Sequence, residues 1–175
     1  MIKKALTLSC VFLLLSASDS FSEPAESVGK AVIVKGNVTS LTKAGKSSKL
    51  KGGSAVYEGD VISSDATGSA KIVLTDMTEM ALGTSSKFKI DEFEPKKVSM
   101  FSVMMGKIRS KVSKATDNNT RVLLKTQNAT MGVRGTDFET MVNPQTQMAS
   151  IVTLEGAVAM AKNESAGTEP KVANE

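Results

Sequence analysis

The chain has 175 residues, 41% of them hydrophobic and 23% charged, with a net charge of +4 and a single Cys. That balance suits one folded domain of ordinary size and is far from the composition of a disordered chain. It contains no His, which excludes a Ser-His-Asp triad, a Cys-His dyad and any His-bearing metal site, and its 4% aromatic content argues against a wide stacking platform for sugars or bases.

Residues 1–22 read as a secretory signal peptide. Lys3 and Lys4 supply the positive start, Ala5 to Leu15 the apolar core, and Ser20-Phe21-Ser22 the small-residue cut ahead of Glu23-Pro24. The apolar run is about 11 residues, short of the roughly 20 that a membrane-spanning helix needs. Cys10 lies inside that run rather than at its end, which argues against a lipid-anchored protein. Cleavage therefore predicts a periplasmic or secreted chain without cysteine, its charge lowered by one. Such a chain must be held by its core and backbone ladders rather than by disulfides.

Residues 23–30 form a short lead-in. From residue 31 to 162 the pattern is that of short strands punctuated by Gly, Asp, Ser and Asn. Ala31 to Val34 opens it, Gly36-Asn37 breaks it, and Val38 to Leu41 resumes. The stretch 42–54 is basic and rich in Gly and Ser, and reads as a flexible loop. Val56 and Tyr57 lead into Glu58-Gly59-Asp60 and then Val61-Ile62. In 69–74, Ala70, Ile72 and Leu74 alternate with polar or outward positions, and Met80 and Leu82 share one face of the next run. Phe88 and Ile90 alternate again.

Val98, Phe101, Met105, Ile108 and Val112 are spaced as on an amphipathic helix, yet the same residues also parse as two strands about Gly106; periodicity leaves both open. Val122 and Leu124, Met131 to Phe138, and Met141-Val142 follow. Ile151–Leu154 and Val158–Met160 flank Glu155-Gly156, which reads as a hairpin. Residues 163–175 are a polar tail.

Six glycine-centred signatures, taken in order, resemble the FecR-like domain. They are Leu50-Lys51-Gly52-Gly53 with Val56 and Gly59-Asp60-Val61-Ile62; Ser69 to Leu74 with Asp76 and Met80-Ala81-Leu82; Met105-Gly106-Lys107-Ile108; Lys125 to Thr130; Gly132-Val133-Arg134-Gly135-Thr136-Asp137-Phe138; and Thr153-Leu154-Glu155-Gly156-Ala157-Val158. The resemblance spans about residues 31–160. It implies an all-β domain of short stacked strands, β-solenoid-like or sandwich-like, and decides 98–112 in favour of strands. After Asp76 the family usually continues Gly-Ser, whereas this chain reads Met77-Thr78. The resemblance does not extend to the cytoplasmic segment with which FecR signalling proteins grip a sigma factor, so direct transcriptional signalling is not expected.

The candidate sites divide into functional and structural readings. Arg134-Gly135-Thr136 has the makings of an anion fork beside exposed backbone N–H groups, or of a tight corner between strands. Lys43, Lys46, Lys49 and Lys51 form a basic loop suited to anionic envelope polymers, or a guard on a strand edge. Gly59, Asp60, Gly106, Gly132, Glu155 and Gly156 are read as structural motif positions. Asp60 with Asp65 and Asp76 raises calcium, and Met100, Met104 and Met105 raise copper(I), but no repeating ligand array accompanies either, so no metal or cofactor is expected. Asp91, Glu92 and Glu94 are the only candidates for carboxylate chemistry on a glycan. The expectation is therefore a non-catalytic envelope domain that binds a protein partner or assembles in the envelope. A polysaccharide- or peptidoglycan-binding module and a glycan hydrolase are the alternatives, and nucleic acid is not an expected partner.

Overall fold

Burial alternates residue by residue over 69–74, 79–82, 87–91 and 129–133, so the side chains there sort themselves onto two faces. The computed structural model describes residues 26–95, 97–113 and 121–163; the predicted leader with Cys10, and residues 164–175 of the predicted tail, lie outside these. Among the described residues there is no helix.

Fourteen strands make up the domain: β1 (Gly29–Lys35), β2 (Val38–Leu41), β3 (Ser47–Lys49), β4 (Ala55–Val56), β5 (Val61–Ser64), β6 (Ser69–Leu74), β7 (Glu79–Leu82), β8 (Lys87–Glu92), β9 (Val98–Lys111), β10 (Arg121–Lys125), β11 (Ala129–Val133), β12 (Asp137–Val142), β13 (Ala149–Glu155) and β14 (Val158–Lys162). They form one hydrogen-bonded network, curled into two layers. One layer runs β4-β1-β6-β7, then the second half of β9, then β12-β13. The other runs β3-β2-β5-β8, then the first half of β9, then β10-β11-β14. The β9–β10 pairing is parallel and the others are antiparallel. The inward side chains of both layers meet in one core that includes Ile62, Ile72, Met80, Phe88, Phe101 and Phe138.

The segment 98–112 is thus strand, as the resemblance implied. β9 belongs to both layers because it changes direction at Gly106, whose φ is +81°. A helix over the same residues would have removed the strand that joins the two halves of the core. Two other expectations are corrected. The stretch 42–54 is not one flexible loop: it holds β3, β4 and two tight turns, closed by bonds such as Thr42 N–H to Lys46 O and Gly53 N–H to Ala31 O. Its Lys- and Ser-rich composition hid strands that exist because neighbouring strands supply their partners. Nor is Glu155-Gly156 a hairpin. β13 pairs with β12 and β14 with β11, so the turn is an arch that carries the chain from one layer to the other.

The turn after Asp76 carries a side chain in the left-handed region. Met77 has φ +67°, the left-handed conformation a glycine would occupy there, and its side chain is 66% exposed. Asp76 fixes the turn by accepting bonds from the Thr78 N–H at 2.9 Å and the Thr78 hydroxyl at 3.0 Å. A side chain in this conformation is strained by about 1 kcal/mol. Met77→Gly relieves that strain with little burial lost, and we expect a gain of a few tenths to about 1 kcal/mol after the unfolded-chain entropy is counted, read as a rise in the denaturation midpoint.

Two hydroxyls in the core, Ser110 Oγ on β9 and Thr140 Oγ1 on β12, have no hydrogen-bond partner among the described residues. Replacing such a group by a methyl of the same shape removes a desolvation cost. Thr140→Val should therefore stabilise the domain by about 1 kcal/mol, or roughly 2–4 °C in a thermal melt.

Candidate functional site

Arg134-Gly135-Thr136 sits at the arch between β11 and β12. Gly135 turns the chain with φ +58°, and Gly132, by contrast, is an ordinary strand residue. Thr136 is buried, and its hydroxyl lies 3.1 Å from Arg134 O and 3.0 Å from Ala157 O. Ala157 belongs to the next arch, where Gly156 (φ +85°) packs onto Gly135 and Thr136. The motif therefore stacks one arch on another, with Gly135 and Thr136 inside the contact and Arg134 on the surface.

The residue after the motif, Asp137, forms a bidentate pair with Arg109, at 2.9 Å to Nε and 2.8 Å to an Nη. Composition and local spacing do not show this pair, because 28 residues separate its members. It belongs to a row of ion pairs on the outer face of the same layer, with Lys71–Glu79 and Lys107–Glu139 each at 2.8 Å. The bond from Arg109 holds the Asp137 carboxyl below the usual aspartate range and raises the guanidinium in turn. Because the folded value lies below the unfolded one, this contribution is complete above about pH 4 and fades as the pH drops through the lowered value. Asp137→Asn should thus be less stable than wild type near neutrality, and the gap should close on acidification below about pH 4, as followed by denaturant midpoints.

Lys43, Lys46, Lys49 and Lys51 are all exposed and surround β3, the edge strand of one layer. Lys43 also lies across Gly59, whose position would place a side chain 3.1 Å from its Cβ. Gly59 itself adopts φ +86° and donates to Ile90 O at 2.7 Å. Asp60 is 2% exposed, and one carboxylate oxygen accepts bonds from the Ser40 hydroxyl and the Tyr57 N–H, each 3.1 Å long.

The other carboxylates are held apart. Asp65 accepts from the Thr67 N–H and hydroxyl, bonds that keep its carboxyl below the usual range, and Asp76 caps the Met77 turn. Asp91 contacts Lys89 and Ser102, Glu94 pairs with Lys97 at 2.7 Å, and Glu92 is exposed at the end of β8. Among the described residues, no group of three Asp or Glu side chains converges on one point. Met105 lines an open apolar groove of about 720 Å³ with Met141 and Met148, and neither Met100 nor Met104 contributes to it.

The least expected surface is the end of the stack formed by β13 and β14. Cross-strand register places Ala149, Ile151 and Thr153 on the inner face of β13, opposite buried Val142, Thr140 and Phe138. Val158 and Met160 face inward on β14, opposite buried Val133 and Met131. Yet Met160 is 63% exposed, as are Leu154 (54%) and Val152 (47%), because among the described residues nothing packs beyond this arch. The sequence signal for this end is ambiguous: Ile151–Leu154 is uncharged and β-branched in its first three residues, which reads equally well as a buried strand.

The family model described as "FecR protein" matches residues 60–159, more than half of the chain. The chain belongs to the FecR family. The match runs from the buried Asp60 to β14, so the FecR model takes in β5 to β13 and the start of β14. β1 to β4 precede it, although each is paired within a layer. A solved structure titled "Cell surface anchoring domain" aligns at 25% identity over 36% of this chain and 83% of that one, with a TM-score of 0.35, too loose a superposition to bear on fold or function. Comparison with curated proteins gave no match.

Proposed function

We propose that this FecR domain is a non-catalytic binding domain of the cell envelope, periplasmic or secreted, that takes hold of a protein partner by its free strand edges. The observation that carries this reading is the end formed by β13 and β14, where strands of seven and five residues present apolar side chains next to open backbone edges. An exposed edge of that kind pairs readily with an incoming strand, and natural monomers normally blunt it. The other end is blunted: β3 has three residues and is ringed by lysines, and β4 has two. Beyond β4, the edge of β1 is interrupted by a bulge at Ala31–Ile33. Membership of a family of regulatory and signalling domains supports a binding role over a catalytic one, and the export signal read at residues 1–22 supports the compartment.

The four exposed lysines around β3 favour the second reading, a module for polysaccharide or peptidoglycan. Chemical crosslinking in envelope extract separates the two, using wild type, a Val152→Lys/Leu154→Lys chain, and a chain with Lys43, Lys46, Lys49 and Lys51 changed to Ser. The edge reading expects the first variant to lose its crosslinked protein and the second to keep it. The reverse pattern, with cell wall co-sedimenting only when the lysines are present, would establish the polymer-binding module instead.

A further inference from the structure

We infer that the partner covering the β13–β14 end is a second copy of this chain, docked about a two-fold axis so that β13 pairs with β13 and β14 with β14 of the other copy. This rests on the edge-binding reading above and deepens it by naming the partner. The register of the two strands makes them self-complementary. Asp137 pairs with Glu155 and Phe138 with Thr153, so Leu154 is an extra, bulged residue. The bulge brings the two strands into step: counted from the Gly156 arch, Thr153 and Val158 are the first inward residues, and Ile151 and Met160 the second.

One axis through Ile151 and Met160 therefore serves both layers. Antiparallel pairing about it sets Ile151 against Ile151 and Met160 against Met160, extending the core of one copy into the other. Val152 then faces Ser150, Ala159 faces Ala161, and Thr153 faces Ala149. The one charge inside the paired stretch, Lys162, faces Val158, so no like charges are opposed. A head-to-tail stack is disfavoured because the opposite end is short-stranded and ringed by lysines. The residues paired in each copy, 149–153 of β13 and 158–162 of β14, are about half or less of what a standard interface uses, so the dimer should form in roughly the micromolar range.

Sedimentation of the full chain tests this. Wild type should be dimeric at about 100 μM and dissociate on dilution. Ser150→Lys/Val152→Lys and Ser150→Glu/Val152→Glu, both at exposed outward positions, should each be monomeric with unaltered circular dichroism, and a 1:1 mixture should recover the dimer. In a Cys10→Ser background, Met160→Cys should give a disulfide-linked dimer on mild oxidation, since directly opposed residues lie about 4.5–5.5 Å apart at Cα, whereas Ser48→Cys on β3 should not. A wild type that stays monomeric at that concentration, or charge variants that remain dimeric, would overturn the inference. If the chain is monomeric but a photo-crosslinker at Val152 captures a different envelope protein, the two-fold dimer fails and edge binding stands. If it captures nothing, both fail.

Discussion

Gly106→Ala is expected to lower the melting temperature by about 10 °C. Two costs add. An L-residue at φ +81° is strained by about 1–2 kcal/mol. The new Cβ would also collide with Ser86 Oγ and stand 2.5 Å from both Ser85 O and Ser86 Cα. Two of these three contacts are backbone, so relief requires moving the β7–β8 connection itself. Ser86 has little room to give: its hydroxyl accepts from the Lys107 N–H at 2.8 Å and donates to Thr84 O at 2.8 Å. A total near 3 kcal/mol is a large share of the stability of an ordinary domain. Gly132→Ala supplies the control. Its Cβ would meet only Leu123 Cδ2, at 3.8 Å, and its backbone is extended, so that substitution should change stability by less than about 1 kcal/mol. Thermal melts of the two variants side by side measure the difference.

Asp60→Ala should cost about 2–4 kcal/mol although it removes no apolar contact of note. The lost carboxylate leaves two donors behind, the Ser40 hydroxyl, itself 4% exposed, and the Tyr57 N–H at the start of the turn. Buried donors without acceptors carry their full desolvation cost, and bonds to a carboxylate are stronger than those to a neutral oxygen. Ser40→Ala removes one donor and keeps the turn, so it should cost only about 1 kcal/mol. The double variant should then cost less than the sum of the two singles, and that coupling, measured by denaturant titration, identifies the bond itself as the cause.

The parts of this fold that were legible from residues are those governed by local alternation. β6 follows the pattern of Ala70, Ile72 and Leu74 along its whole length, and Met80 with Leu82, and Phe88 with Ile90, point inward as their spacing requires. What alternation does not encode is the partner of each strand. A glycine-centred turn such as Glu155-Gly156 suits a hairpin and an arch equally, and the choice is made by distant pairing with β12 and β11. For the same reason β3 and β4 were lost in a lysine-rich stretch, and the Arg109–Asp137 pair was invisible.

The candidate sites were legible to a similar depth. Asp60 shows how a local signal can be read as a turn cap while its burial, which sets its energetic importance, depends on Ser40, 20 residues away. Arg134-Gly135-Thr136 stood out because glycine and threonine are needed where arches stack. The exposed β13–β14 end had no distinguishing sequence signal. Its strands are as apolar as core strands, and only the end of the stack leaves them uncovered.

The central claim is that the domain acts through the β13–β14 edges and not through the basic end around β3. Amide hydrogen exchange, compared between the dilute chain and the chain in its associated or partner-bound form, tests it most directly. Fast exchange is expected at the open-edge amides of β13 and β14 when dilute, and strong protection of those same amides on association, with residues 43–51 unchanged. Protection confined to 43–51, with β13 and β14 exchanging as before, would contradict it.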